Sequence, residues 1–314
     1  MYFGNTINLM DAFPDFKAPG FNAGLYNKRF RESNVIINAS AREVSYAPHW
    51  GPLSIKCAFN GNEYYEFNDC RYRVDDTGFL LLNEGQIYSS YIHSDTMVES
   101  FTINFSADYV NHAYTGWQRD DVHHDEEVTG PQSFCERIHS HGTEVSHYIF
   151  LLRTLSKDFY VQQARIEECY MLLMHALFQL QQAEKSAVQK VQAIKTCTQQ
   201  ELYQRLMRAR DYIESCYAED ISLEKLAAAS CLNASYLLRQ FKQYFGISPR
   251  QYAIRKRMAT ASMLLKTSGR TVTEICYLCG YKDLTSFCKL FRQFYHTSPQ
   301  EYRLQHCTKK SIFT

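Results

Sequence analysis

No stretch of this 314-residue chain approaches the roughly twenty consecutive apolar residues that a helix needs to cross a bilayer. The first residues, Met1 to Asp11, also lack the basic-then-apolar pattern of a secretory signal. Together these absences predict a protein that stays in the cytoplasm and has no membrane partner. A disulfide framework is missing too. The eleven cysteines are odd in number and scattered from Cys57 to Cys307, in a chain too large to depend on staples. Reduced, mostly buried thiols are therefore expected. There is no nucleophile elbow, no phosphate-binding glycine loop and no His-Glu-x-x-His, so neither an enzyme nor a cofactor is expected.

Net charge is almost absent, at +1, but that balance conceals an asymmetry. Residues 201–314 hold 18 Lys+Arg against 9 Asp+Glu, which leaves 16 against 24 in residues 1–200. The C-terminal part is basic enough to seek a polyanion, although charge alone does not separate DNA from RNA or an anionic membrane surface. With 45% hydrophobic and 21% charged residues, the composition is that of an ordinary globular chain with room for two domains.

The first part reads as short strands. Asn34–Asn38, Arg42–Tyr46, Leu53–Phe59, Glu63–Phe67, Arg71–Val74, Phe79–Leu82, Gln86–Ile92 and Met97–Phe105 are rich in aromatic and β-branched residues. Turn-forming clusters such as Asn60-Gly61-Asn62 and Asn83-Glu84-Gly85 separate them. Closely spaced strands without intervening helices predict an antiparallel sandwich or barrel over 1–130. From about Pro131 the pattern becomes helical. Apolar residues at Ile166, Tyr170, Leu173, Leu177 and Leu180 make a 4-3-4-3 seam. That seam suits either a dimer contact within a helical region 131–182 or packing on the chain's own barrel. Residues 183–200 are polar and read as a linker, and 201–306 as an all-α domain. The predicted class is α+β.

The C-terminal third repeats itself. Phe241-Lys242-Gln243-Tyr244-Phe245-Gly246-Ile247-Ser248-Pro249 matches Phe291-Arg292-Gln293-Phe294-Tyr295-His296-Thr297-Ser298-Pro299 at an offset of 50. Leu226-Ala227 matches Ile275-Cys276 at 49, so one residue is inserted in the turn between. Within each copy a cap (Ser222) or an apolar face (Val272, Ile275) marks a short helix. Asn233 or Asp283 then caps a second helix with an inward pair, Leu237 and Phe241 or Phe287 and Phe291. Two short helices joined by a tight turn, the second polar and basic outside, form a helix-turn-helix suited to the major groove. A duplicated hairpin in a basic region is far more specific than a single one.

These residues carry a resemblance. Ser235-Tyr236-Leu237-Leu238-Arg239-Gln240-Phe241-Lys242, Gly246-Ile247-Ser248-Pro249, Arg257-Met258-Ala259, Gly280-Tyr281-Lys282-Asp283 and Ser298-Pro299-Gln300-Glu301-Tyr302-Arg303 resemble the DNA-binding domain of the AraC family of transcription regulators, over about 205–305. The strand-rich region resembles, more loosely, that family's cupin-like sensing barrel, best at Asn83-Glu84-Gly85-Gln86-Ile87-Tyr88-Ser89-Ser90. The resemblance implies two recognition helices entering successive major grooves of double-stranded DNA. Ala234, Ser235, Leu238 and Arg239, then Leu284, Thr285, Cys288 and Lys289, become base-edge candidates. Lys242, Lys282 and Arg292 are phosphate candidates. The resemblance further implies a small-molecule effector in the barrel, a homodimer and, for an activator (the family's commoner mode), RNA polymerase as partner. Cys276 and His296 depart from the family's usual Ala and Gly, and His296 falls where positive φ is favoured.

Other constellations carry less. Cys276-x-x-Cys279 lies inside the repeat and has no partner pair at zinc spacing, so buried structural thiols are expected there rather than a redox pair. His139-x-His141 has cupin-like ligand types but falls in the stretch read as helix, where i and i+2 diverge, so no metal is expected. A cupin-type metal enzyme fused to a DNA-binding domain is the alternative reading. The aromatics Tyr46, Trp50, Phe59, Tyr65, Phe67, Tyr72, Phe79, Tyr88, Tyr91, Phe101 and Phe105 divide between core and any ligand cavity in a way the sequence does not specify.

Overall fold

The computed structural model describes residues 7–15, 22–68, 70–120, 133–188 and 196–307, in two compact units divided between Gln204 and Arg205. The first unit opens with β1 (Ile7–Met10) and α1 (Ala23–Glu32). Then come β2 (Asn34–Trp50), β3 (Leu53–Phe59), β4 (Glu63–Phe67), β5 (Cys70–Val74), β6 (Gly78–Leu82) and β7 (Ile87–Phe105). It continues with α2 (Ala107–Asp120), β8 (Ile138–Ser140), α3 (Glu144–Leu155) and α4 (Gln163–Val188). The strands make one sheet in the order β1-β2-β7-β3-β6-β8, with β4 joined to β7 and β5 to β4. Every pairing is antiparallel except β1 with β2.

The two long strands organise this sheet. β7 pairs β3 through Glu99–Phe105 and β4 through Ser89–Tyr91, while β2 runs beside most of its length. The segments expected as four separate strands, 34–38 with 42–46 and 86–92 with 97–105, are these two continuous strands. Register shifts between Ala41 and Glu43 and between Tyr46 and His49 break the alternation without ending the pairing.

One face of the sheet packs on α2, α3 and α4 through Ile36, Ile55, Phe79, Leu81, Phe101, Ile103 and Phe105. The seam residues Ile166, Tyr170, Leu173 and Leu177 are fully buried in this same core, and Leu180 packs against it. The 4-3-4-3 spacing is thus used within the chain, leaving Met171 exposed on another face of α4. The Tyr170 hydroxyl donates to the Asn104 carbonyl, and its ring lies 4.8 Å from Phe105.

β1, α1 and β8 add to the elements that the sequence predicts, and, contrary to the expected helical pattern, the stretch after Pro131 is not wholly helical. β8 pairs β6 with Phe79 opposite His139. His139 and His141 therefore share a face, with their rings 5.1 and 5.9 Å from Phe79, instead of diverging around a helix. Among the described residues no three His, Cys, Asp or Glu side chains converge as a metal site.

The second unit is helical. α5 (Thr196–Cys216) crosses its boundary and leads to α6 (Leu223–Ala229), α7 (Ala234–Phe245), α8 (Pro249–Thr267), α9 (Val272–Leu278), α10 (Leu284–Tyr295) and α11 (Pro299–Cys307). Within 183–200, α4 runs on to Val188 and α5 starts at Thr196; residues 189–195 lie outside the described residues. No described helix is long and apolar enough to cross a membrane.

Candidate DNA interface and a cavity in the sheet

The two hairpins α6–α7 and α9–α10 are built alike, atom by atom. In the first turn Ser230 N–H donates to Leu226 O, Cys231 N–H to Ala228 O and Leu232 N–H to Ala227 O. In the second, Cys279 N–H donates to Ile275 O, Gly280 N–H to Tyr277 O and Tyr281 N–H to Cys276 O, all at the sequence offset of 49. The position needing positive φ is Cys231 (52°) in one copy and Gly280 (78°) in the other.

The second helix of each hairpin is fixed at both ends. The Asn233 side chain accepts from Ser235 N–H, and Asp283 accepts from Thr285 and Ser286 N–H. These bonds hold the Asp283 carboxyl below its usual range, and its charge sits favourably at a helix N-terminus. At the other ends Gly246 and His296 both take left-handed conformations, with φ of 75° and 58°. His296 thus adopts the backbone expected of that position, without glycine's freedom. Ser248 with Gln251, and Ser298 with Glu301, then form capping boxes that start α8 and α11.

This framework sorts each helix into two faces. Leu237, Gln240 and Phe241 of α7 are buried, while Ser235, Leu238, Arg239 and Lys242 are exposed and Ala234 is half-buried. Phe287 and Phe291 of α10 are buried, while Leu284, Thr285, Lys289 and Arg292 are exposed. Lys282 is exposed in the turn, whereas Cys288 is half-buried against the core of its own hairpin. The Arg239 guanidinium lies 5.3 Å from the Tyr236 ring, which orients it along the helix surface. Every sequence-predicted residue is therefore on one of the two exposed helix faces or beside it, and Cys288 is the least available.

Cys276 and Cys279 are fully buried. Burial raises both thiols, Cys279 to about 12, so neither is a ready thiolate.

One helix, α8, connects the two hairpins, and Arg257 on it ties the segment between α5 and α6 to the turn of the second hairpin. Its Nε donates to Tyr217 O at 2.5 Å, Nη2 to Glu219 O at 2.7 Å and Nη1 to Gly280 O at 3.4 Å, with its cation 5.3 Å from the Tyr281 ring. The backbones approach so closely there that a Cβ on Gly280 would stand 2.1 Å from Ala218 O.

The first unit holds a site that sequence reasoning missed. The sheet face away from α2–α4 is lined with polar side chains: Lys56 of β3, Glu63 and Tyr65 of β4, and Tyr88, Ser90, Ser100, Thr102 and Asn104 of β7. They surround a cavity of about 50 Å3 whose remaining wall includes Phe13, Tyr46, His49 and Trp50. Of the aromatic candidates in the strand region, Tyr46, Trp50, Tyr65 and Tyr88 face it; Phe59, Phe79, Phe101 and Phe105 belong to the sheet–helix core. Lys56 and Glu63 are only 5% and 3% exposed. The available signal was Ser54-x-Lys56, Glu63-x-Tyr65 and Ser100-x-Thr102-x-Asn104, polar residues at period two within strands that are otherwise buried.

The C-terminal unit is similar in sequence to known helix-turn-helix proteins. A family model described as a helix-turn-helix domain matches residues 226–305. The HTH-type transcriptional activator RhaS of Enterobacter sp. (strain 638) is 37% identical over 99 residues, which are 32% of this chain and 36% of that protein. The chain thus spans about a third of the length of the curated relatives it matches. Among solved structures, the C-terminal domain of the response regulator yesN from Fusobacterium nucleatum is 32% identical, covering 30% of this chain and 93% of that one, with a TM-score of 0.29. A probable AraC family transcriptional regulator from Rhodopseudomonas palustris is 27% identical, covering 32% and 96%, with a TM-score of 0.31. With its duplicated, capped helix-turn-helix joined by one helix, the second unit of this chain is thus similar to the DNA-binding domains of AraC-type transcription regulators.

Proposed function

We propose that this DNA-binding regulator is a ligand-responsive activator that reads its operator through α7 and α10. The observation that carries the reading is the paired exposed faces of these helices, held by equivalent caps and turns in one basic unit. Arg239 has the geometry to give two hydrogen bonds to a guanine edge, and Lys289 supplies a less directional donor. Ala234, Ser235, Leu238, Leu284, Thr285 and Cys288 line the same faces and make the remaining base contacts. Lys242, Lys282 and Arg292 grip phosphates, which sets affinity without sequence. Activation is proposed because the matched RhaS proteins are activators, and RNA polymerase is then a partner.

Residues 1–130 are read as a cupin-like sensing domain, 131–182 as the helical region through which two copies dimerise, 183–200 as a linker and 201–306 as the DNA-binding domain. The polar cavity supports the sensing role, because an inert core would be filled with apolar side chains. The exposed Phe150 and Met171 on α3 and α4 support the dimer. Such a regulator works where the DNA is, in the cytoplasm.

Selection of genomic fragments with the purified full-length protein, followed by titration at two salt concentrations, tests the reading. Recovery of a site spanning two adjacent major grooves with steep salt dependence supports it. Absence of enrichment, both from the full chain and from residues 201–314 alone, overturns it.

A further inference from the structure

The cavity of the first unit holds Lys56 and Glu63, which attract each other electrostatically without a direct hydrogen bond between them among the described residues. Lys56 Nζ donates to the Tyr88 hydroxyl at 2.9 Å and lies 5.0 Å from the Tyr88 ring and 6.0 Å from the Tyr65 ring. Its other N–H bonds have no acceptor among the described residues. Glu63, from the neighbouring wall, is stabilised in its charged form by the Ser100 and Tyr65 hydroxyls beside it and by Lys56, yet Oε2 has no hydrogen-bond partner among the described residues. Burial opposes both charges, pushing Lys56 down to about 8 and Glu63 up. An ammonium and a carboxylate left buried and incompletely bonded are costly unless something completes them.

We propose that this cavity binds a small zwitterion of the α-amino-acid type. Its ammonium pairs with Glu63 Oε2, its carboxylate with Lys56 Nζ, and its side group meets the wall formed by Phe13, Tyr46 and Trp50. The proposal deepens the ligand-responsive reading above and rests on it.

Charge decides among ligand classes. With Lys56 as ammonium and Glu63 as carboxylate, the pair sums to zero. An anion alone would satisfy Lys56 but crowd a second negative charge against Glu63, and a cation alone would do the reverse. A neutral polyol would offer dipoles to two buried ions, whereas ion-to-ion hydrogen bonds are roughly twice as strong as neutral ones. A zwitterion keeps the cavity neutral while completing both groups. Ser90, Ser100 and Thr102, each on β7 and facing the same space, add hydroxyls that either donate or accept, so they suit a ligand with both kinds of end. The small volume favours a single amino acid over a peptide.

The test uses the full-length protein in phosphate buffer, free of amine buffers. Calorimetric titration and thermal shift are run with the individual proteinogenic L-amino acids, with matched single-charge probes (ethylamine and sodium propionate) and with neutral polyols (glycerol and glucose). At least one amino acid is expected to bind saturably at one per chain, with the amine, the acid and the polyols weaker by about tenfold or more. Glu63→Gln and Lys56→Met are each expected to lower that affinity by a similar factor. Tyr88→Phe, a milder change that removes only the acceptor of Lys56, is expected to shift it less.

A protein that binds none of the amino acids up to about 10 mM, or binds a polyol or single ion as tightly as any of them, overturns the proposal whether or not the variants fold. DNA binding by the same preparations separates this from the regulator reading. Operator binding without amino-acid binding removes only the ligand class. Loss of operator binding by the wild-type chain removes the regulator reading itself.

Discussion

Arg239 and Lys242 sit one helical turn apart on the exposed side of α7, yet their substitutions should behave differently. Arg239→Ala is expected to cost about 1–3 kcal/mol on the preferred site and to relax preference at one base pair. Lys242→Ala is expected to weaken all sequences alike and to reduce the salt slope by about one. Titration of both variants on a set of single-base operator variants distinguishes the roles; a uniform loss for Arg239→Ala would remove its base-reading role. His296 gives a third residue-scale case. A side chain at φ 58° is strained by about 1–2 kcal/mol, part of which glycine's greater unfolded-state freedom offsets, so His296→Gly should stabilise the protein by about 0.5–1 kcal/mol. A lower midpoint in thermal or urea unfolding would contradict this. Lys56 makes stability depend on pH in the opposite direction from a paired lysine. Its folded pKa, about 8, lies below its unfolded value, so the unfolded chain holds more protons between those pH values. Stability from this group therefore rises as pH increases from about 8 towards about 10.4, by at most about 1.4 kcal/mol per pH unit. Lys56→Met should remove that slope in urea titrations run across the window.

At the scale of elements, the helices of the second unit were legible because the sequence states them twice. Cap, inward pair, turn and Ser-Pro start recur at offsets of 49 and 50, so each copy tests the reading of the other. The first unit offers no second copy. There β2 and β7 each look like two strands, because bulges shift which residues face inward while the backbone keeps pairing. β8 is only three residues long, too short for any periodicity, and the faces of His139 and His141 follow from its pairing to β6 alone. The polar stripe was hidden for another reason. Lys and Glu at alternate strand positions ordinarily mark a solvated face, and only the covering of both faces of β3 shows them to be enclosed. Arg257 is likewise readable only in three dimensions, since its three carbonyl acceptors come from two distant segments. Because it ties α8 and the segment leading into α6 to the turn before α10, Arg257→Met should let the second hairpin, and with it α10, shift relative to α7. Affinity for a two-groove operator is then expected to fall more than affinity for either half-site, as measured by competition with each. Equal losses would mean that Arg257 contributes stability only. Gly280→Ala combines positive φ with collision against Ala218 O and should destabilise by about 2 kcal/mol or more.

At the scale of the whole chain, the uneven distribution of charge has a consequence for DNA that neither unit shows alone. The basic 201–314 segment carries twice as many Lys+Arg as Asp+Glu, and the acidic 1–200 segment cancels nearly all of that excess. The number of phosphates neutralised in a complex fixes the slope of log affinity against log salt, at about 0.9 per contact, whereas distant charges of the protein act through a screened field. The acidic segment should therefore lower affinity for non-specific DNA at low salt while leaving the slope unchanged. Residues 201–314 alone are expected to bind random duplex more tightly than the full chain at about 0.05 M salt, and the difference should shrink towards 0.2 M as the Debye length falls below about 10 Å. A full-length slope smaller by one or more contacts would give a different picture, in which residues 1–200 cover part of the phosphate-gripping surface. Adding a ligand then discriminates further. A ligand that binds one arrangement of the units better than another changes occupancy only by its difference in affinity for the two. If the slope recovers on ligand addition, release of covered contacts is the switch. If affinity changes at constant slope, the ligand acts on the spacing of the recognition helices or of two copies of the chain.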